Sequence, residues 1–338
     1  MKRLTPVAVL IVLLSLVIGT ILLSMNVGVF PMTPLEVVRT LIGVGTTQQE
    51  VALYTLRLPR ITVAVLVGMA LAVSGAMLQG VSRNGLADPG ILGINSGAGL
   101  AVIMYMHLWS GSSNGVITGM GSVLMMPLAA FVGAFVAAIL IYSLATKRGE
   151  LHPTRLILVG IGVSAGFSAL IIIFQLIMNP QDFLAATVWL TGSIWGSNWM
   201  YVFAILPWIV VFIPYSMYKA RFVNVIELGA SVATGLGVQV DKERRKLLFA
   251  SISLAAAGVA VGGGISFLGL LAPHIARRLV GRQYQLIIPA SALLGAALLV
   301  GADIVSRNLL APNEIPVGIV VSIVGAPYFL YLLMRSDL

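Results

Sequence analysis

The chain has 338 residues, 59% of them hydrophobic and only 9% charged, with a mean hydropathy of +1.04. Soluble proteins carry about 25% charged residues, so this composition excludes a water-soluble globular fold and points to lipid. The net charge of +9 is explained by membrane topology, as shown below, so no nucleic-acid partner is expected.

A crossing helix needs about 20 apolar residues, and the apolar blocks predict about ten spans. The fold class expected is all-α and polytopic, with one transmembrane domain over residues 1–338. The first span is predicted from Leu4 to Met25, after Lys2 and Arg3. It resembles a signal peptide, but it is longer than an apolar signal region and no small-x-small cleavage site follows, so it is read as an uncleaved span. An external segment, 26–56, carries Pro31, Pro34 and the polar run Thr46–Glu50. Span two, from about Arg60 to Gln79, ends in the turn SRNGLADPG, where Asp88 is expected to cap the next helix with Pro89 at its first position.

Spans three and four are expected at Ile91–Leu108 and Leu124–Ala145, and span five at Leu156–Met178. Span five is rich in small residues: Gly160, Gly162, Ser164, Gly166 and Ser168. The irregular stretch 179–199 carries Trp189, Trp195 and Trp199 and reads as a short external helix at the interface. Span six is expected to end near Tyr218 and span seven to begin near Leu247, leaving a polar cytoplasmic region between them. Spans eight to ten complete the chain, ending inside at Arg335. Span eight contains GISFLGLLAPHIARRLVG (264–281), an apolar helix interrupted by glycines and stopped by Ala-Pro-His, with His274 helping to terminate it. Interrupted helices persist at membrane depth where backbone lines a cavity.

With the N-terminus inside, all but Arg39, Arg57, Arg60 and Arg307 of the 20 Lys and Arg residues fall on the cytoplasmic side. The positive-inside rule accounts for that asymmetry, and both termini are expected in the cytoplasm. Spaced glycines in GMALAVSGAMLQG (68–80) and AAGVAVGGGISFLG (256–269) suggest an inverted repeat of spans two to five and seven to ten.

The external arginines Arg57, Arg60 and Arg307 admit two readings. They can dock an acidic partner, or they can snorkel and anchor, with Asp303 one turn before Arg307 forming an internal pair. Leu228, Val232, Leu236 and Val238 would share one face of a short helix in the polar region, and an exposed apolar patch of that kind usually meets a partner. The pairs Gly93/Gly97 and Gly258/Gly262 read as close helix packing.

The chain has no cysteine, which removes disulfides and thiolate chemistry. His107, His152 and His274 have no companions at metal-ligand spacing, and GxSxG and HExxH motifs are missing. Neither a catalytic residue, a metal nor another cofactor is expected, and an enzyme is not. Without a GxxxxGK[ST] loop, any ATPase must be another chain. Asp303 is the one serious intramembrane carboxylate for an ion-coupled carrier.

These motifs add up to a resemblance. RLPR (57–60), RNGLADPGILG (83–93), WLTGSIWGSNW (189–199), LGASVATGLGV (228–238), PASALLGAALLVGADIVSR (289–307) and EIPVGIVVSIVGAPYFLYLL (314–333), with the two glycine-rich stretches, resemble the FecCD family of ABC importer permeases for ferric siderophores, haem and vitamin B12. The resemblance covers nearly the whole chain, with Gly85 and Ile315 standing where members usually have Pro and often Leu.

It implies a type II ABC importer permease fold in a bacterial plasma membrane. It also implies partners: cytoplasmic ATP-binding subunits, an extracytoplasmic substrate-binding protein and a second permease, identical or paralogous. A ferric siderophore is the expected cargo, with vitamin B12 or haem as the alternative and an ion-coupled carrier as the reading outside the family. By the same resemblance, Arg57, Arg60 and Arg307 meet acidic residues of the binding protein. Glu227, Leu228, Gly229, Ala230, Val232, Leu236, Gly237 and Val238, within a coupling region of about 226–246, sit in a groove of the ATPase. Gly160, Gly162, Ser164, Gly166 and Ser168 line the translocation path. Pro273, His274 and Arg277 lie beside the coupling region without separate roles.

Overall fold

The computed structural model describes residues 5–28, 32–90, 93–110, 120–147, 150–151 and 153–335. Lys2, Arg3, Leu4, Pro31, Ile91 and His152, named above, lie outside the described residues. The described chain is helical apart from a two-residue antiparallel pair, β1 (Thr146–Lys147) and β2 (Glu150–Leu151). Fourteen α-helices occur among the described residues: α1 (Pro6–Asn26), α2 (Pro34–Leu41), α3 (Thr47–Glu50), α4 (Leu58–Ser82), α5 (Ile94–Ser110), α6 (Met120–Ala145), α7 (Pro153–Ile177), α8 (Pro180–Leu190), α9 (Trp199–Glu227), α10 (Ala230–Gly235), α11 (Val240–Gly262), α12 (Leu268–Val280), α13 (Tyr284–Asn308) and α14 (Val317–Arg335).

Among the described residues eight helices are long and apolar enough to cross a membrane, and α5 is a shorter apolar helix, against the about ten spans expected. The core is built on α4, whose residues are almost all buried against α9, α11, α12 and α13. In contrast α1, α7 and α14 bury little of themselves and leave apolar faces open, as lipid or a partner helix requires.

Several local expectations are corrected. The external polar run is helical: Thr46 and Gln49 cap each other at the start of α3, which continues through a π-helical stretch, Val51–Arg57, into α4. Pro59 follows directly, and its missing N–H explains why the helix widens there. Asp88 does not cap a helix at Pro89. Its carboxylate accepts from the Gly90 N–H at 3.0 Å and closes a turn, and α5 starts only after Gly93 at φ +77°, a conformation glycine supplies cheaply.

Helix α9 runs on to Glu227, beyond the expected end at Tyr218, and α11 begins at Val240 rather than near Leu247. The polar region is therefore largely helix. Lys219 on α9 pairs with Glu243 on α11 at 2.7 Å, and Lys246 adds a second bond to Glu243 at 2.9 Å. These charges staple the two helix extensions together.

The break in span eight precedes Ala-Pro-His rather than coinciding with it. Residues 263–267 are unwound, while α12 runs through Pro273 and His274 to Val280, so His274 does not terminate it. Pro273 cannot donate to the carbonyl of Gly269 four residues earlier. That carbonyl accepts from Gln79 Nε2 on α4 at 3.3 Å instead, which satisfies a buried acceptor the proline would orphan. Gly75 on α4 meets Gly269 so closely that a β-carbon at Gly75 would collide with the Gly269 backbone.

Candidate transport site and polar ends

Non-helical stretches at 193–197 and 312–316 line one cavity, and the unwound residues 263–267 pack beside the first of them. The backbone N–H of Gly264 donates to the carbonyl of Trp189 at 3.3 Å, and that of Gly318 donates to Gly192 at 2.9 Å. Asn95 Nδ2 reaches the carbonyl of Ile265 at 3.4 Å. Non-helical backbone is thus satisfied within the protein, the condition for its survival at membrane depth. The cavity encloses about 780 Å³; Met106, Met126, Trp189, Ile194 and Val261 form its apolar wall, and Arg60, Ser197, Tyr201, Ser306, Asn313 and Glu314 its polar rim.

Arg57, Arg60 and Arg307, far apart in sequence, come together at one end of the bundle. Arg60 Nε donates to Asp303 Oδ1 at 2.9 Å, and its terminal nitrogens grip Glu314 at 3.1 and 2.8 Å. Arg307 pairs with Asp303 at 3.1 Å, the expected pair one turn apart, and donates to Ser24 Oγ at 2.6 Å. Arg57 donates to the Met25 carbonyl, and its guanidinium and that of Arg307 both flank Gly28. All three arginines are buried in the single chain, as is Asp303 at 1% exposure. The cluster ties α1, α4, α13 and the segment before α14, with three guanidiniums against two carboxylates. Buried ions need such pairing. Glu314 escaped attention in the sequence because an isolated glutamate in a loop has no periodic partner.

At the opposite end, Leu228, Val232 and Leu236 are exposed, with Leu228 at 62% and Leu236 at 63%. Gly229, at φ +118°, opens α10, Ala233 anchors it in the core, and Gly237 at φ +81° closes it, while Val238 N–H donates back to Ala233. Ala230 is the first helical residue. A short helix is present, but of the four residues expected to share its face only Val232 lies in α10; Leu228 and Leu236 flank it exposed, and Val238 is half-buried. Glu227 accepts from the buried Tyr284 hydroxyl at 2.8 Å, and Arg277 donates to that hydroxyl at 2.7 Å. Tyr284 was invisible in the sequence, since its partners lie 57 residues upstream and seven upstream.

The small residues of α7 divide between two faces. Gly160 is buried, Ser164 Oγ donates to its carbonyl at 2.7 Å, and both pack toward Gly93. Gly162, Gly166 and Ser168 face outward, and a β-carbon at either glycine would meet nothing. Among the described residues none of these five lines the cavity. Gly97 and Gly133, and Gly262 with Val67, lie in the tight contacts expected of small-residue spacing.

Comparison with known proteins matches residues 14–335 to the FecCD transport family. The chain is 51% identical over 332 residues to the iron(3+)-hydroxamate import system permease protein FhuG of Bacillus subtilis, covering 98% of each chain. It is 40% identical over 295 residues to the cobalamin import system permease protein BtuC of Halobacterium salinarum, covering 87% of this chain and 76% of that one. A solved inward-facing structure of an ABC transporter of metal-chelate type superposes with a TM-score of 0.83 at 29% identity, covering 97% of this chain and 99% of the other. This chain belongs to the FecCD transport family and is a transport subunit that crosses the membrane many times.

Proposed function

We propose that the chain is the permease subunit of an ATP-driven importer that moves a ferric siderophore into the cytoplasm, with ATP hydrolysed by a separate subunit. The observation that carries this reading is the end-to-end identity of about half with a hydroxamate-iron permease. It resides in a bacterial plasma membrane with both termini cytoplasmic, which puts the Arg60–Asp303 end outside and the α10 end inside.

An extracytoplasmic binding protein delivers the chelate at the outer end, where Arg57, Arg60 and Arg307 supply the positive field that acidic docking residues recognise. Cytoplasmic ATPase subunits grip Leu228, Val232 and Leu236 on and beside α10, and a second permease packs on the open faces. The outward face of α7, with Gly162, Gly166 and Ser168, borders the path between the two permeases. The reciprocal contact of Ser74 on α4 with Ser251 on α11 supports an inverted repeat relating spans two to five to spans seven to ten. Only ligands that bind two conformations differently can drive such a cycle.

An ion-coupled carrier is disfavoured because Asp303 is held by two arginines rather than free to carry a proton. Labelled-iron uptake in a strain deleted for this gene, across hydroxamate, catecholate and citrate chelates, haem and cobalamin, tests the reading. Loss of uptake for one ferric siderophore class confirms it. Loss of cobalamin or haem uptake replaces the cargo, and uptake by the purified chain alone in liposomes overturns the importer.

A further inference from the structure

Tyr284, the first residue of α13, is fully buried, yet its hydroxyl sits between two charges from different helices. Arg277 of α12 donates to the hydroxyl at 2.7 Å, and the hydroxyl donates to Glu227 of α9 at 2.8 Å. Arg277 and Glu227 alone approach no closer than 3.7 Å. The ring is wedged against α4, where a β-carbon at Gly80 would come within 2.9 Å of the phenol carbon and oxygen. The backbone N–H of Tyr284 donates to Asn224 Oδ1 at 2.9 Å, and Asn224 in turn donates to Gln285 at 2.7 Å. Three neighbouring helices therefore converge on one rigid side chain of α13: α9 and α12 through hydrogen bonds of the stronger, charge-assisted kind, and α4 through packing at Gly80.

Glu227 is the last residue of α9, with only Leu228 and Gly229 between it and α10. Two turns earlier the Lys219–Glu243 clamp fixes α9 to α11. A push on α10 therefore reaches the bundle on one side through residues 236–239 into α11 and on the other at Glu227, below the clamp, where the shortest polar contact is the phenol.

We infer that Tyr284 is a positioning residue that passes displacement of α10 to α12 and α13 through the Glu227–Tyr284–Arg277 relay. The inference rests on the reading that α10 meets the ATPase. A phenol suits the task because its hydroxyl both accepts from the guanidinium and donates to the carboxylate. Its ring cannot fold away as a flexible chain would. Coupling spread along packed side chains needs such a contiguous element, and α12 leads directly to the unwound residues 263–267 beside the cavity.

The test uses the assembled importer in proteoliposomes with its ATPase and binding protein, comparing Tyr284→Phe with the parent chain. The substitution keeps the buried ring and removes the hydroxyl. Cargo moved per ATP is expected to fall about tenfold, while the thermal midpoint of the complex stays within a few degrees. The double variant Glu227→Gln/Tyr284→Phe should lower that ratio no further than the worse single variant, since both break one relay. A cross-link from Leu236→Cys to the ATPase reads the α10 contact separately. An unchanged ratio with the cross-link present overturns the relay and leaves the α10 reading standing. Parallel loss of hydrolysis and transport with a lowered thermal midpoint also overturns it, by reducing Tyr284 to a packing residue. Absence of the cross-link removes the α10 reading and the relay with it.

Discussion

Ser74 and Ser251 exchange hydrogen bonds: Ser74 Oγ donates to the Ser251 carbonyl at 2.7 Å, and Ser251 Oγ donates to the Ser74 carbonyl at 2.9 Å. The two are buried on α4 and α11 and lie 177 residues apart. Such reciprocity is the contact pattern of a two-fold relation, and it locks together the two helices that dominate the core. Replacing either serine with alanine should cost about 1–3 kcal/mol, because a buried carbonyl loses its extra donor. The double variant should cost less than the sum. Thermal midpoints of the purified complex in detergent decide between coupled and independent bonds.

Gly75 and Gly162 offer a contrast between fold and function. Gly75→Ala places a methyl against the Gly269 backbone, and forcing α4 from α12 should cost about 1–3 kcal/mol and lower the yield of folded protein. Gly162→Leu projects into open space in the single chain, so the chain should still fold. On the proposed reading, in which that face borders the path or the second permease, uptake should nevertheless fall. Normal uptake by folded Gly162→Leu protein would take α7 off the path.

Charge changes at the outer cluster separate docking from internal pairing. Arg60→Ala leaves Asp303, 1% exposed, with Arg307 as its remaining partner and without the guanidinium that donates twice to Oδ1; losing both arginines would cost about 3–5 kcal/mol, and losing one should cost part of that. Its thermal midpoint should drop sharply and recover in part with Asp303→Asn. Arg57→Glu should weaken binding-protein docking most strongly at low salt, where screening is weakest. Affinity that does not respond to that reversal at any salt concentration would leave Arg57 as an internal brace.

The face of α10 is open to direct disruption. Leu236→Asp puts a charge on a 63% exposed apolar position, where the free chain pays little. A desolvated contact with the ATPase would not tolerate it, so ATPase association should weaken at least tenfold, by about 1.4 kcal/mol or more. Equal co-purification of ATPase with the variant would move the contact elsewhere.

The segment around α2 is expected to respond to pH. Glu36 accepts from the backbone N–H of Thr33 at 2.7 Å and from its hydroxyl at 2.8 Å, closing the capping box of α2. These bonds hold its carboxyl below the usual glutamate range. A lowered folded-state value contributes stability that is present above the unfolded value and lost as pH falls through the folded one. Protection factors for amide exchange in Pro34–Leu41, corrected for the intrinsic pH dependence of exchange, should fall on acidification, and Glu36→Gln should flatten that dependence.

The sequence by itself determined the class of molecule, its many membrane crossings, a short helix within the region around 228–238 and the family. Each rests on information local in the chain: span length, cation asymmetry, glycine spacing and ordered motifs. Helix ends were less legible. Asp88 looked like a cap and His274 like a stop, because local propensity does not report that Gly93 takes a left-handed turn or that Gln79 takes the carbonyl freed by Pro273. Only the tertiary structure decided how charges pair. Arg60 meets Asp303 across 243 residues and Tyr284 meets Glu227 across 57, and no periodicity in one helix encodes a partner on another. The same distance rule split α7, because which glycine packs and which stays open depends on where α5 crosses. In lipid, an apolar pattern says that a helix is buried in something; packing alone decides whether that is protein, path or bilayer.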